Sequence, residues 1–252
     1  MTAGGADDSG ADARGHVGRH RVLAAWRQLL QLWFPTGCAA CGVRDEICRG
    51  LCAICAAALR QRVFVHREAL ASGLVVVSAT DYHSVVQRCI TAVKDAGRVD
   101  AVPALVPLLR VGLLALHRAG VRDCVLVPVP SQRRAVAKRG FQHVELLVQR
   151  AVPDAPLVSV LGYRRRVRDQ SGLGRAERAR NVAGAMVAMR PLAGMRCVLV
   201  DDVSTTGASL VEAERALRSA GAEVCAAVVI ARVAKRFSSA HSAPTTSQLS
   251  RT

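Results

Sequence analysis

The stretch Val198-Leu199-Val200-Asp201-Asp202-Val203-Ser204-Thr205-Thr206-Gly207-Ala208-Ser209-Leu210 decides the fold. Cys197–Val200 reads as a buried strand that ends in two adjacent carboxylates. A loop of small residues follows and opens a helix over Ala208–Ala220, stopped by Gly221. A helix start exposes unpaired N–H groups and the positive end of the helix dipole, which suits an anion such as phosphate. Gly207 lets backbone approach a ligand closely, and Thr205, Thr206 and Ser209 add hydroxyl donors. Asp201 and Asp202 repel an anion, but they accept hydrogen bonds from sugar hydroxyls or hold a cation. A phosphate and a diol one ribose apart satisfy the whole unit. A plain N-cap at Ser204, Thr205 or Thr206 explains less, because a cap calls for neither two acids nor a Thr pair followed by Gly.

Working outward, Glu223–Ala231, Leu74–Ala79, Cys124–Val129 and Leu157–Leu161 also read as strands. Val182–Met189 is a further strand at the end of Gly162–Asn181, a polar, Arg-rich, Gly-punctuated segment that reads as a long loop or a mobile flap. Helical spacing marks Ser84–Lys94, Val99–His117 (entered through Pro103), Phe141–Ala151, and shorter pieces at Val22–Phe34 and Ala56–Arg62. Apolar strands alternating with helices predict an α/β fold, a mainly parallel sheet flanked by helices. Such sheets bind ligands at the carboxyl ends of their strands, which directs attention to Val200–Gly207 and Val129–Gly140.

Five of the nine cysteines crowd into Cys38–Cys55. The pairs Cys38-x₂-Cys41 and Cys52-x₂-Cys55 stand ten residues apart. That spacing suits a tetrahedral Zn²⁺ site, with Cys48 as a spare ligand; the other reading is a set of reduced buried thiols. A short segment with little core gains its fold from such a metal. Cys89, Cys124, Cys197 and Cys225 lie singly in apolar segments and read as small buried hydrophobes. An odd count without an export signal argues against a disulfide framework.

The 252 residues suit one medium domain plus a small module, and 51% hydrophobic residues allow a packed core. Domain limits follow: a disordered N-terminus at 1–20, a helix plus four-cysteine zinc module at 21–62, an α/β domain at 74–232 and a disordered tail at 233–252. The most apolar stretch, Ala101–Leu116, is interrupted by Pro103, Pro107 and Arg110 and reads as too short to span a bilayer. No membrane insertion and a cytoplasmic location are expected. The net charge of +16 points to a polyanionic partner or to a solvated Arg-rich surface. Arg133, Arg134, Lys138 and Arg139 form one basic group, and Arg164, Arg165, Arg166 and Arg168 another. Only Tyr163 stands beside the second group for base stacking.

The segment from Val198 to Leu210 resembles the phosphoribosyl pyrophosphate motif of type I phosphoribosyltransferases. More narrowly, the chain resembles the ComF family of competence-associated phosphoribosyltransferase-like proteins from about Trp33 to Ala231. The likeness rests on ordered blocks: the Cys pairs, Tyr82 with Lys94, Val127-Pro128-Val129-Pro130, Arg139-Gly140-Phe141-Gln142, Gln170 with Arg178 and Asn181, and Asp201–Ser209. The resemblance implies that Asp201 and Asp202 bind ribose hydroxyls and that Thr205, Thr206, Gly207, Ala208 and Ser209 cradle the 5′-phosphate. It further implies that the turn after Pro130 is the pyrophosphate loop, that Lys94 and Arg139 neutralise the diphosphate with Mg²⁺, and that Gly162–Asn181 closes over the reaction. The chain departs from the family in reading Gly140-Phe141-Gln142-His143 where Gly-Phe-Asn-Gln is usual. It also has Thr205 where many purine-salvage enzymes carry a carboxylate. The resemblance implies either a phosphoribosyltransferase acting on phosphoribosyl pyrophosphate or a nucleotide, or a partner of single-stranded DNA and DNA-uptake proteins in natural transformation. A zinc-dependent interaction module would account for Cys38–Cys55 alone.

Overall fold

A computed structural model describes residues 37–165, 167 and 175–234. The expected N-terminal disorder, the helix Val22–Phe34, the tail from Lys235 onward and the middle of the flap lie outside the described residues.

Behind Cys52 the chain enters α1 (Ala53–Arg60), then an antiparallel pair, β1 (His66–Ala69) and β2 (Val75–Asp81). Helices α2 (Ser84–Lys94) and α3 (Val102–Arg118) follow, the latter preceded by a 3₁₀ turn over Val99–Ala101. Next come β3 (Val125–Pro128), the short α4 (Arg133–Arg139) and α5 (His143–Ala151). A small hairpin pairs β4 (Leu161–Tyr163) with β5 (Met186–Ala188) and brackets α6 (Arg175–Val182). The chain ends in β6 (Arg196–Ser204), α7 (Ala208–Ser219) and β7 (Glu223–Arg232).

The main sheet has the order β1-β2-β7-β6-β3, and β2, β7, β6 and β3 are parallel. The central strands are near-continuous apolar runs because both faces are covered. On one face Val198, Val200, Val228 and Ile230 pack with Leu105, Leu109 and Leu147 of α3 and α5. On the other, Leu199 and Val229 pack with Leu210 and Leu217 of α7 and with Met186. Each fully buried Val or Leu contributes about 1.5–3 kcal/mol, so the three residues that deliver the acids are firmly anchored. Cys38, Leu51, Cys52, Cys55 and Leu59 belong to the first core, so the cysteine segment is docked on the α/β domain.

Several expectations shift. The α3 run is continuous from Val99 to Arg118, long and apolar enough to cross a bilayer by length and composition, with half of it buried in the fold. Pro103 is harmless in the first turn, and Pro107 is accommodated inside the helix. Gly112 is required where α3 meets the sheet: a Cβ there would lie 2.5 Å from a methyl of Val228. Leu157–Leu161 forms a single bridge, Leu126 to Leu157, and regular pairing starts only at Leu161. The strand β1 and the helix α4 escaped the sequence reading. The first is a polar edge strand, His-Arg-Glu-Ala, without a hydrophobic alternation, and the second is seven residues rich in Arg and Lys.

Candidate ligand site and metal centre

The strand carrying the acids is longer than its apolar run. Parallel pairing with β7 continues through Asp201 with Val229, Val203 with Ala231 and Ser204 with Arg232. Both acids therefore stand on the strand, and alternate side chains point to opposite faces. Asp201 shares the α7 face with Leu199; Asp202 shares the α2–α5 face with Val200.

On the α2–α5 face, Asp202 is 3% exposed. Its Oδ2 lies 3.0 Å from Nζ of Lys94, the last residue of α2, and 2.9 Å from Nε2 of His143, the first residue of α5. Its Oδ1 accepts the Val203 N–H at 2.8 Å. Behind His143, Nδ1 is 3.0 Å from Ser131 Oγ and 3.3 Å from Nη2 of Arg139. A guanidinium only donates, so Nδ1 accepts and Nε2 carries the proton given to Asp202. Burial alone would raise the Asp202 carboxyl, but Lys94 and His143 hold it well below the usual carboxylate range. In return, Asp202 lifts the Lys94 ammonium above its ordinary value.

On the α7 face, Asp201 is half-buried, and its Oδ1 accepts the Asp202 N–H at 2.8 Å. Burial, and then the charge on Asp202, push its carboxyl well above the usual range. Tyr163 of β4 is pushed up to about 12 by burial and then by Asp201. The N-cap of α7 is Gly207, at φ +76°, which has no side chain to offer. Thr206 Oγ1 accepts the Ala208 N–H at 3.3 Å, while Thr205 is exposed. One hydroxyl of this loop thus meets the first N–H of α7 from outside the N-cap position, and Thr205 stays open. A Cβ on Gly207 would lie 2.7 Å from Leu70 Cδ2, so the loop is narrow as well as left-handed there. Glu212 of α7 accepts the Met186 N–H at 2.9 Å and pairs with Arg215 at 2.7 Å, tying β5 to the same helix.

The strand register and the helix ends thus bring Asp201, Asp202, Lys94, Arg139 and the loop Thr205–Ser209 to one end of the sheet. Arg139 differs from its expected role. It is 7% exposed, and its N–H groups reach the Lys94 carbonyl, the Phe141 carbonyl at 3.2 Å and Ser131 Oγ at 3.0 Å. A guanidinium so enclosed props α2 and the turn after Pro130, and has little left for a diphosphate. Tyr163 is packed against Val167, Val182 and Ala185 rather than standing free for base stacking. His143 and Ser131 are the polar residues that the sequence reading left unassigned. The signal was present for His143, which falls on one helix face with the inward Leu147 and Ala151.

Beside α2, the Sγ atoms of Cys38, Cys41, Cys52 and Cys55 all lie within 4.8 Å of one another, and those of Cys41 and Cys52 are 3.7 Å apart. A tetrahedral zinc with Zn–S bonds of about 2.3 Å sets its sulfurs about 3.8 Å apart, so this donor set fits the metal. Cys48 is exposed and outside the group. Burial pushes the Cys38 thiol up, but N–H donors from Cys52, Cys41 and Ala40 outweigh it and bring the thiol to about 6. A thiolate-stabilising backbone of this kind suits a metal ligand.

Residues 135–248 match the family described as phosphoribosyl transferase domain. The DNA utilization protein YhgH of Salmonella typhimurium is 29% identical over 204 residues, which span 69% of this chain and 87% of that protein. An orotate phosphoribosyltransferase of Pyrobaculum aerophilum is 38% identical over 85 residues, 34% of this chain and 43% of that one. The crystal structure of orotate phosphoribosyltransferase from Mycobacterium tuberculosis H37Rv covers 71% of this chain and 83% of its own at 19% identity, with a TM-score of 0.32, too loose a likeness to carry an argument. The domain match and the YhgH relatives, with the acid-tipped parallel sheet, support a likeness to ComF-type proteins of the phosphoribosyltransferase kind.

Proposed function

We propose that the chain binds phosphoribosyl pyrophosphate, or a nucleotide with the same ribose 5-phosphate, at Asp201–Ser209, and transfers phosphoribosyl to or from a base. The observation that carries this reading is the glycine-started α7 placed directly beyond a half-buried carboxylate. The first-turn N–H groups of α7, with Thr205, Thr206 and Ser209, would hold the phosphate. Asp201 would accept from the ribose hydroxyls. Asp202 is committed to Lys94 and His143, so its part is to hold the half-exposed Lys94 ammonium where a diphosphate leaves. Arg139 and Ser131 position that pair.

Mg²⁺ prefers one or two carboxylates plus phosphates and keeps several waters, a set that Asp201 and a diphosphate substrate fit. When bound it would neutralise charge on the leaving diphosphate. We assign residues 74–232 to this domain and residues 21–62 to a structural zinc module, with Cys38, Cys41, Cys52 and Cys55 as ligands. A chelator should then lower the melting temperature, and added Zn²⁺ should restore it. A cytoplasmic location completes the proposal.

Two experiments test it. Phosphoribosyl pyrophosphate with Mg²⁺ should raise the melting temperature, whereas ribose 5-phosphate lacking the diphosphate should raise it less. Labelled phosphoribosyl pyrophosphate incubated with a panel of bases should release diphosphate with one of them; no release with any base removes the transfer step and leaves binding alone.

A second reading has its own support. The relative YhgH is named for DNA utilization, and Arg133, Arg134 and Lys138 are exposed on α4 beside the site. In this reading the chain handles single-stranded DNA with DNA-uptake proteins, and the basic face tracks the backbone. Binding to single-stranded DNA that falls steeply with salt and survives Asp201→Asn would favour it.

A further inference from the structure

Three cysteines outside the zinc centre gather at the opposite end of the sheet from the acids. Cys124 stands just before β3, Cys225 is on β7, and Cys197 is on β6 between them. The sequence suggests three isolated buried hydrophobes. Cys197 is one: it is fully enclosed. The other two are partly exposed, and their Sγ atoms are 3.5 Å apart across 101 residues of chain.

The backbone explains how residues of non-adjacent strands meet. The β6–β7 register slips at Cys197/Val198: Cys197 pairs with Val224 and Val198 with Ala226, so Cys225 has no partner opposite it. It is the extra residue of a β-bulge, and bulges re-aim a side chain. On the other side, Asp123 adopts the left-handed region at φ 54°, where a non-glycine residue is uncommon, and turns the chain into Cys124. The immediate neighbours are polar. Cys225 Sγ lies 3.6 Å from Glu223 Oε1, Cys124 Sγ lies 3.2 Å from the Arg122 carbonyl, and Arg196 pairs with Glu223 at 3.4 Å. Burial first, and then Cys124 and Glu223, push the Cys225 thiol up to about 11, so exchange at this pair speeds up as pH rises.

We propose that Cys124 and Cys225 form a reversible dithiol–disulfide couple that staples β3 to β7 across β6. The sulfurs must close from 3.5 Å to about 2.05 Å, and because β6 lies between the two strands that closure draws the backbone at Cys124, just before β3, toward the bulge. The co-reactant is a small disulfide such as oxidised glutathione. One cysteine thiolate attacks a glutathione sulfur, forming a mixed disulfide and releasing one glutathione thiol. The second cysteine attacks the protein-side sulfur and releases the other. Two protein thiols lose two hydrogens and two electrons, and one glutathione disulfide becomes two thiols. The loop so closed spans β3, α4, α5, the β4–β5 hairpin, β6 and α7, all the elements that carry the candidate ligand site except Lys94.

The test uses the full-length, zinc-loaded, reduced protein carrying Cys48→Ser, so that the zinc protects its four ligands and the exposed cysteine beside them is removed. Titration with oxidised glutathione should remove two alkylatable thiols per chain without adding glutathione mass. Peptide mapping should recover one cross-link, Cys124 to Cys225, and the melting temperature of the oxidised protein should rise. Reduction with dithiothreitol should reverse all three. Cys124→Ser and Cys225→Ser should each lose the cross-link and the melting shift while keeping the reduced protein's melting temperature near wild type. Stable mixed disulfides on both residues, a cross-link through Cys197, or two thiols that stay alkylatable throughout would each overturn the proposal. None of these results bears on phosphate binding at Asp201–Ser209.

Discussion

The two faces of the β6 tip differ sharply, although their acids are adjacent in sequence. On the α2–α5 face Asp202 is enclosed, and its carboxylate is matched by Lys94, His143 and the Val203 N–H, with Ser131 and Arg139 behind. On the α7 face Asp201 touches only the next residue's N–H among the hydrogen bonds described, and the helix beyond it begins at a glycine N-cap with one long bond, from the Ala208 N–H to Thr206 Oγ1. A buried polar network that is fully matched inside the protein holds shape. A set of donors and an acceptor that the protein leaves unmatched is where a ligand adds something. The pair is therefore a division of labour: Asp202 builds the tip and Asp201 faces what binds there.

The comparison breaks most visibly through Asp202. Replacing it with Ala leaves Lys94 without its anion and His143 Nε2 without its acceptor. Removing one partner of a buried pair costs about 3–5 kcal/mol, and the lower end applies because the Lys94 side chain is 46% exposed. Urea denaturation should show that loss. Asp201→Ala should cost far less, and equal losses from the two would erase the distinction.

Gly207→Ala comes next. The left-handed backbone at φ +76° costs a non-glycine residue about 1–2 kcal/mol, and the new methyl must displace Leu70. The same urea experiment should show that loss, together with a smaller melting shift from phosphoribosyl pyrophosphate. A variant as stable as wild type would mean that the loop is wider than its geometry indicates.

The smallest effect is the difference in pH dependence. The folded-state pKa of Asp202 is depressed, so its stabilisation is present above the ordinary value of 3.8 and is lost as pH falls through the folded value. That of Asp201 is raised, so its contribution is full below 3.8 and is lost as pH rises through the raised folded value. The stability gap between wild type and Asp202→Asn should accordingly narrow toward acid. The gap between wild type and Asp201→Asn should move wild type's way toward acid and fade toward neutrality. Urea curves across about pH 3 to about pH 7 read both slopes, and parallel slopes would contradict the asymmetry.

Much of this was legible in the chain. Strand and helix periods located Ser84–Lys94 to the residue, and the cysteine spacing picked the four thiols that converge. What the sequence did not carry was matching across elements. The apolar run stops at Val200, so a reading by hydrophobicity ends the strand there, yet β7 continues to pair as far as Ser204. That extension sets Asp201 and Asp202 on opposite faces, where the sequence alone had them gripping one sugar together. Arg139 reads as a surface cation because its neighbours Lys138, Arg133 and Arg134 are exposed; only the packing of α4 against α2 shows its guanidinium turned inward. Cys225 looks like a strand residue, and only the register slip exposes it as a bulge.

In the function proposed above, the α7 face of the β6 tip takes the ribose phosphate through Asp201. Calorimetric titration of phosphoribosyl pyrophosphate, with Mg²⁺ present, into wild type and Asp201→Asn tests it most directly. A charged hydrogen bond to a ligand is worth about 1.5–3 kcal/mol, so the account predicts saturable binding by wild type and affinity at least about tenfold weaker for the variant, at unchanged folded stability near neutral pH. Equal affinity in the two proteins, or no saturable binding by wild type, would contradict it.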